Sequence, residues 1–330
     1  MSMSGSPVIF NLRGKRVFVA GHAGMVGSAI VRRLARENCD IVFAARRDLD
    51  LRQSHEVDRY MAQARPDAVF VAAGRVGGIS ANSAFPADFI ADNLAIALNI
   101  IRAAHRHEVK KLVYLGSSCI YPRLAPQPMT PDMLLFGPLE PTNQWYAVAK
   151  IAGIKLCQAY RSQYGADFVS VMPSNLYGPG DNYHPENSHV PAALVLRFHE
   201  AKLIGAPSVS VWGTGSPRRE FLAVDDLADA CVFVMKCYSA PQFLNVGTGE
   251  DIAIADFARL VADVVGYRGK IDFDTSRPDG MPRRLLDVSP INALGWRATT
   301  PLRDGLRQMY ADFVNRYGAI RAGAEKLPSH

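Results

Sequence analysis

The chain has 330 residues, of which 48% are hydrophobic, and its formal net charge is +6. This length and apolar content are enough to bury a large core, in two lobes of one unit or in two domains. No apolar run reaches roughly 18 residues, which argues against a membrane-spanning protein. Residues 1–11 show no secretion signal, which argues against a secreted protein. The basic residues form no continuous stripe, which argues against a nucleic-acid-binding protein.

The first predicted elements are a strand, a glycine-rich turn and a helix. The strand covers residues 16–20, Gly21, Gly24 and Gly27 form the turn, and the helical pattern runs over residues 28–37. Glycines allow a tight turn and a close approach to a pyrophosphate, which rests on the amides at the helix N-terminus. The spacing is G-x-x-G-x-x-G, and helix-packing glycines are the alternative interpretation. The order of elements favours dinucleotide binding.

The second predicted strand, residues 41–45, ends in Arg46 and Arg47 instead of an acidic residue. An acidic residue at this position binds a ribose 2′-hydroxyl, whereas arginine holds a 2′-phosphate. The sequence therefore favours NADP(H) over NAD(H). Two solvated surface arginines are the alternative interpretation.

Strands and helices then alternate, which is typical of a Rossmann-like, doubly wound parallel sheet in the α/β class. The predicted strands are residues 68–72, 111–117 and 168–173, and the helices are residues 87–106 and 145–164. Core packing against the sheet explains most of the apolar surface of these two helices, and the remainder predicts a homodimer joined by a helix bundle.

Beyond residue 178 the elements become shorter and predict a smaller α/β substrate lobe. Its strands are expected at 209–212 and 243–246, and its helices at 190–202, 226–236 and 254–265. We expect an NADP-binding domain over 14–178, to which later segments can return, a substrate lobe over 179–320, and flexible tails at 1–13 and 321–330.

Tyr146 and Lys150 lie four residues apart in the second long helix, and Ser117 closes the strand before it. Positions i and i+4 share a helix face, so the ammonium can lie beneath the phenol, lower its pKa and make it an acid and base near neutral pH. Ser117 would complete the grip on a carbonyl oxygen. This spacing also occurs by chance on surface helices, so its weight comes from the neighbouring motifs.

The five cysteines are Cys39, Cys119, Cys157, Cys231 and Cys237. Their odd number and the lack of metal-ligand spacing indicate reduced thiols and no metal site. We therefore expect a cytoplasmic protein.

Together these residues resemble the extended short-chain dehydrogenase/reductase family over nearly the whole chain. The similarity is closest to members that take a GDP-linked 4-keto-6-deoxymannose, invert C3 and C5, and then reduce C4 with NADPH. The long matching runs are residues 76–79, 115–122, 140–143, 181–190 and 277–287.

The resemblance implies specific roles. It assigns Ser117, Tyr146 and Lys150 to the carbonyl, and Cys119 and His189 to proton exchange at C3 and C5, because a thiol and an imidazole both exchange protons near neutral pH. Buried packing of Cys119 and helix capping by His189 are the alternatives. The implied cofactor contacts are Gly21, Gly24, Met25, Val26, Gly27, Arg46, Arg47, Leu115, Gly116, Tyr146, Lys150, Asn175, Leu176 and His189.

The resemblance also implies contacts of Arg197, Trp212, Arg219 and Asp279 with the GDP-sugar. Arginine suits a diphosphate and an indole stacks on a ring. Core packing of Trp212 and a solvated position for Arg197 are the alternatives. Bacterial family members often have arginine where this chain has Ala23, which leaves more of the phosphate contact to Arg46 or Arg47.

Three other functions fit parts of the pattern. A sugar-nucleotide 4,6-dehydratase shares the fold but needs an Asp-Glu pair where this chain has Ser118 and Cys119. A 4-epimerase needs no Cys/His pair. A non-catalytic NADP-sensing regulator would keep the glycine turn but has no need of both Tyr146 and Lys150.

Overall fold

A computed structural model describes residues 6–184, 188–277 and 279–321. The helices in these ranges are α1 (Met25–Leu34), α2 (Ser54–Ala64), α3 (Ile79–Ala84), α4 (Pro86–Arg106), α5 (Gln144–Tyr164), α6 (Val190–Leu203), α7 (Val224–Cys237), α8 (Ile254–Val265), α9 (Ser289–Ala293) and α10 (Leu302–Arg321). The strands are β1 (Arg16–Ala20), β2 (Asp40–Val42), β3 (Ala68–Val71), β4 (Lys111–Leu115), β5 (Asp167–Pro173), β6 (Asn175–Tyr177), β7 (Ser208–Trp212), β8 (Arg218–Arg219), β9 (Phe221–Ala223), β10 (Leu244–Val246), β11 (Ile252–Ala253), β12 (Lys270–Asp274) and β13 (Arg283–Arg284).

The centre of the molecule is a six-stranded sheet with the order β10-β5-β4-β3-β1-β2, in which every neighbouring pair is parallel. β3 and β4 are buried along their whole length, because parallel strands are covered by helices on both faces. The expected α/β doubly wound fold is confirmed. The chain passes from β1 to β2 on one side and then to β3 on the other, so the strand order reverses between β1 and β3.

Helices cover both faces of this sheet. α4 packs between α2 and α5, and α1 packs against α7. β10 and α7 return to the sheet from the second half of the chain. Residues 6–13, expected from the sequence to be a flexible tail, pack in this region: the amide of Ile9 donates to the carbonyl of Lys236 over 2.8 Å, and Leu12 is fully buried.

A second apolar core lies in the C-terminal half of the chain. α6, α8 and α10 surround it, and its aromatic members include Phe198, Phe221, Phe257 and Phe313. Two small sheets border it, the parallel pair β7-β12 and the three-stranded sheet β11-β8-β13. Of the residues expected to bind substrate, Trp212 lies on β7 and Arg219 on β8, whereas Arg197 lies on α6. In the described part of the chain no helix is long and apolar enough to cross a lipid bilayer.

Candidate active site

The glycine turn lies at the carboxyl end of β1, where the strand order reverses. Gly21 has φ +84°, and a Cβ there would lie 2.7 Å from the backbone of Ala73, which follows β3. A Cβ at Gly27 would overlap the carbonyl of Gly21. Gly24 caps α1, whose first turn carries no acidic side chain. The turn therefore needs glycine for its shape, and the electropositive end of α1, which Met25 and Val26 begin, fits a dinucleotide phosphate.

Arg46 and Arg47 follow β2 at the same edge of the sheet, and both are exposed. The Arg47 guanidinium lies 3.6 Å from the Asp48 carboxylate, and the Arg47 side chain is 87% accessible. An ion pair this exposed contributes little to stability. Both cations are thus placed to meet an anionic group beyond the strand end.

Ser117, Cys119 and Tyr146 come together where β4 ends. Cys119 lies in a short 3₁₀ turn, Ser118–Ile120, and Tyr146 lies in the first turn of α5. The Ser117 side chain lies near both the Cys119 thiol and the Tyr146 phenol, and it lowers the pKa of each against the effect of burial. The serine thereby lies between the phenol expected to contact a carbonyl oxygen and the thiol expected to exchange carbon-bound protons.

Lys150 lies one helical turn after Tyr146 and is buried. Its ammonium donates a hydrogen bond to the carbonyl of Leu115 over 2.9 Å and lies 5.7 Å from the centre of the Tyr146 ring. Burial lowers the pKa of Lys150 to about 8. Leu115, an expected cofactor contact, thus lies beside Lys150, and Gly116, the other, follows it in the chain.

The expected lowering of the Tyr146 pKa is wrong for this structure. Burial raises the pKa of this phenol well above its ordinary value, and nearby Cys119 adds to the rise while Ser117 opposes it. Desolvation of the phenolate is the largest contribution to this pKa, and Ser117 only partly offsets it. A phenol in this environment is protonated at neutral pH and suits a proton donor.

His189 occupies the N-cap position of α6, and residues 185–187 of the loop before it are outside the described residues. Its side chain makes no capping hydrogen bond, so capping does not account for this histidine. The residue as a whole is exposed, and desolvation by the surrounding protein lowers the pKa of its imidazole. No described hydrogen bond or ring contact joins it to Cys119. A neutral imidazole at this position is able to accept a proton.

The expected substrate residues form two groups in the C-terminal half. Trp212 is 59% exposed, and the guanidinium carbons of Arg197 and Arg277 lie 5.3 and 5.0 Å from its ring centre. Core packing therefore does not explain Trp212. Burial, together with the nearby charge of Arg284, lowers the pKa of Arg219 to about 10.

Asp279 has a structural contact of its own. Its carboxylate accepts hydrogen bonds from the Thr214 amide over 2.9 Å and from the Thr214 hydroxyl over 2.7 Å. It also lies within electrostatic range of Arg219. Asp279 thus connects the loop that follows Trp212 to the Arg219 region.

The buried Glu220 was not identified from the sequence. Its carboxylate accepts hydrogen bonds from the amides of Gly249 (2.8 Å) and Leu286 (3.0 Å), and burial raises its pKa to about 7. The carbonyl of Glu220 accepts a hydrogen bond from the Asn175 side chain on β6, whose next residue is Leu176. Glu220, which follows β8, therefore connects the residue Leu286 after β13 with Asn175 on β6, next to the expected cofactor contact Leu176.

The model of the NAD dependent epimerase/dehydratase family matches residues 17–247. GDP-L-fucose synthase 1 of Arabidopsis thaliana is 55% identical over 299 residues, covering 90% of this chain and 93% of its own. GDP-L-fucose synthase of Escherichia coli is 52% identical over 317 residues, covering 93% and 99%. The structure of a GDP-L-fucose synthetase from Naegleria fowleri bound to NADP has a TM-score of 0.86 and 25% identity, covering 96% and 98%.

Proposed function

Because this chain belongs to the NAD dependent epimerase/dehydratase family, we propose that it converts GDP-4-keto-6-deoxy-D-mannose to GDP-L-fucose with NADPH. Relatives more than 50% identical over about nine tenths of the chain carry that activity in their names. The observation that carries the proposal is the placement of Ser117 within reach of both the Cys119 thiol and the Tyr146 phenol. One cleft then holds groups for proton exchange at carbon and for protonation at oxygen.

Epimerisation comes first in the proposed sequence. The 4-keto group acidifies the protons on C3 and C5, and removal of either proton leaves an enolate whose oxygen Ser117 and Tyr146 stabilise by hydrogen bonds. Cys119 and His189 exchange the carbon-bound protons, one removing a proton and the other returning one from the opposite face. Each cycle inverts one centre: the electron pair stays in the enolate, and the proton removed from one face is replaced by a proton on the other.

Reduction at C4 follows in the same cleft. The cofactor, held by the glycine turn, the end of α1 and the arginines after β2, supplies a hydride to C4 when bound. Tyr146, which is protonated at neutral pH, donates the proton that converts the carbonyl oxygen to a hydroxyl. Lys150 holds a positive charge beneath the phenol.

The GDP-sugar is proposed to lie across β7 and β8. Trp212 offers an exposed ring for stacking on a base or sugar, with Arg197 beside it. Arg219 is half-buried and suits a diphosphate, and Asp279 positions the loop between the two.

Product analysis tests the proposed function directly. Purified protein is incubated with GDP-4-keto-6-deoxy-D-mannose and NADPH, and the product is compared by NMR with GDP-L-fucose. We expect GDP-L-fucose with equimolar NADPH oxidation. A C4-reduced sugar with unchanged C3 and C5, or no reaction, would contradict the proposal.

The arginines after β2 are proposed to select NADPH over NADH. Arg46→Glu or Arg47→Glu should weaken NADPH binding and reduce the ratio of the Kd for NADH to the Kd for NADPH. A charged hydrogen bond contributes about 1.5–3 kcal/mol, which corresponds to roughly a tenfold to hundredfold change in Kd. Dissociation constants for both cofactors are measured by fluorescence titration. Arg36→Glu makes the same charge change at an exposed site beyond the far end of α1 and should leave the preference unchanged. Equal affinities of the wild type for the two cofactors would rule out this role.

We also propose a cytoplasmic homodimer joined through α4 and α5. These helices pack on each other and carry exposed apolar side chains, including Leu98, Trp145 and Val148. All five cysteines are free thiols, as suits a reducing compartment. Sedimentation equilibrium should give twice the chain mass of 36.1 kDa, and Leu98→Glu should lower it. A wild-type mass equal to one chain would contradict the dimer.

A further inference from the structure

Arg277 lies beside the expected substrate residue Trp212, although it was not itself expected to bind substrate. β7 and β12 are parallel and end in register, with Trp212 opposite Asp274. The chain turns immediately after β12, since the Arg277 amide donates a hydrogen bond to the Asp274 carbonyl over 3.3 Å. The Arg277 guanidinium carbon then lies over the Trp212 ring, 5.0 Å from its centre. The turn therefore adds a cation to the exposed indole.

A second cation contacts the same indole. The guanidinium carbon of Arg197, from α6, lies 5.3 Å from the Trp212 ring centre. Within the described ranges no salt bridge involves either guanidinium. The Asp274 carboxylate, three residues before Arg277, is hydrogen-bonded to the amide and hydroxyl of Ser276. A guanidinium stacked on an aromatic ring still presents N–H donors along its planar edge, so both cations have donors available to a ligand.

The chain after Arg277 leads from the indole to Arg219. The Asp279 carboxylate fills the space beside Gly213, where a Cβ would overlap it. A Cβ at Gly280 would lie 2.9 Å from a terminal nitrogen of Arg219, so that guanidinium packs against this glycine. Arg277 and Gly280 are three residues apart, and their backbones are separated by at most about 11 Å. A nucleoside joined to a diphosphate at Arg219 can therefore reach the two cations at the indole.

Differences in burial indicate which part of a nucleotide sugar meets these cations. The sugar has to reach Ser117 and Tyr146 to react, and the half-buried Arg219 is proposed to hold the diphosphate. Trp212 and Arg277 are exposed, which fits the outer end of the ligand. Because the diphosphate joins the sugar to the nucleoside, the group at the outer end is the nucleoside.

We propose that Arg277 is a specificity-determining residue that binds the guanine base of the nucleotide sugar, with its guanidinium donating hydrogen bonds to O6 and N7. Guanine presents these two acceptors along one edge, whereas adenine has an amino donor beside N7, which would face the donors of the arginine. Trp212 positions the guanidinium, and Arg197 adds a second positive charge at the same ring. This inference rests on the proposed function, since it takes a GDP-sugar as the ligand, but it concerns binding and is testable without catalysis.

The direct test is isothermal titration calorimetry of the full chain with GDP, with ADP and with 7-deaza-GDP, in which carbon replaces N7. The wild type should bind GDP more tightly than the other two nucleotides. Arg277→Met should raise the Kd for GDP about tenfold or more, because a bidentate contact of arginine with guanine discriminates between bases by this order. The Kd for ADP should change little. Arg277→Lys keeps the charge without the planar pair of donors, so its Kd for GDP should be intermediate.

Arg268→Met is the matched control. Arg268 is an exposed arginine before the other end of β12, where its guanidinium lies 3.8 Å from the Asp263 carboxylate. Its replacement should leave all three dissociation constants unchanged, and thermal unfolding verifies the fold of each variant. An equal loss of GDP and ADP affinity in Arg277→Met would assign this arginine to the phosphates and overturn the inference. Unchanged GDP affinity in Arg277→Met would overturn it as well.

The inference and the proposed function can fail separately. A preference for GDP over ADP that is lost in Arg277→Met, in a protein that forms no GDP-L-fucose in the product analysis, would support the inference and refute the proposed function. Formation of GDP-L-fucose by a wild type that binds GDP and ADP equally well would leave the proposed function intact and overturn the inference.

Discussion

Tyr146→Phe is expected to lower the rate of ketone reduction by about a hundredfold to ten-thousandfold, the usual contribution of a general acid. The variant keeps the ring, which packs edge-on against Phe89 with 6.4 Å between ring centres. It loses only the hydroxyl that we propose donates the proton to the C4 oxygen. NADPH oxidation by single-turnover absorbance gives the rate, and NADPH fluorescence gives the affinity. A near-normal rate would show that another group is the acid.

Tyr160→Phe is the matched control. Tyr160 lies on the same helix, outside the catalytic group, where it packs against Tyr164 and Phe168. The change removes one hydroxyl from a helical tyrosine and should leave the reduction rate unchanged. A similar loss in both variants would indicate a general effect on the helix instead of proton donation.

Lys150→Met should lose reduction without losing stability. The pKa of Lys150 falls from 10.5 to about 8 in the folded protein, so the folded state binds this proton more weakly than the unfolded chain. The wild type is therefore destabilised most below about pH 8. The destabilisation decreases as the pH rises from about 8 to 10.5, and it is absent above that pH. In urea unfolding at pH 7, the free energy of unfolding of the variant should equal or exceed that of the wild type. Removal of the buried charge should raise it by up to about 3 kcal/mol, and loss of the hydrogen bond to Leu115 should lower it by about 1 kcal/mol. A less stable variant at pH 7 would contradict this account.

Cys119→Ser and His189→Asn should each slow epimerisation by about a hundredfold or more while NADPH binding is retained. Serine keeps the size of the cysteine side chain but has too high a pKa to form its anion, and asparagine lacks the proton-exchanging ring. Deuterium uptake at C3 and C5 of the keto-sugar, followed by NMR, separates the two carbons. Any reduction that remains should yield a sugar with one or both centres uninverted.

Cys157→Ser is the control for this pair. Cys157 is a buried cysteine on α5 that interacts with Ser170 and not with the Ser117 group, so its replacement should leave deuterium uptake normal. Fast uptake at both carbons in the Cys119 and His189 variants would place the proton-exchanging groups elsewhere. The function would then return to reduction of an unidentified sugar nucleotide.

Much of the N-terminal half could be predicted because its signals are local. β1, β3 and β4 are short apolar runs. The spacing of the glycines in the turn is recognisable because the strand and the helix approach each other closely there. α2 and α10 were missed. α2 buries only Val57 and Met61 in an otherwise polar segment, and the pattern of α10 contains Gly305 and Gly318, which weaken a helical signal.

The electrostatics of the site could not be read from local sequence. The expected low pKa of Tyr146 assumed that Lys150 acts on it alone, whereas burial by the folded chain raises that pKa. Arg284 and Glu220 gain their positions from the pairing of β8 with β13, which are strands of two residues each. Their register depends on contacts between residues far apart in sequence. The adjacent arginines Arg283 and Arg284, within the segment 277–287 that resembles the family, were the sequence feature that could have indicated this part of the site.

The central claim is that one cleft both inverts C3 and C5 and reduces C4. The most direct measurement is the complete reaction of the wild-type protein with GDP-4-keto-6-deoxy-D-mannose and unlabelled NADPH in deuterated water, followed by NMR of the product. We expect GDP-L-fucose with deuterium at C3 and C5 and hydrogen at C4, because the carbon-bound protons exchange with solvent and the hydride does not. A reduced sugar with no deuterium at C3 and C5 and with the configuration of the substrate retained at both centres would contradict the account.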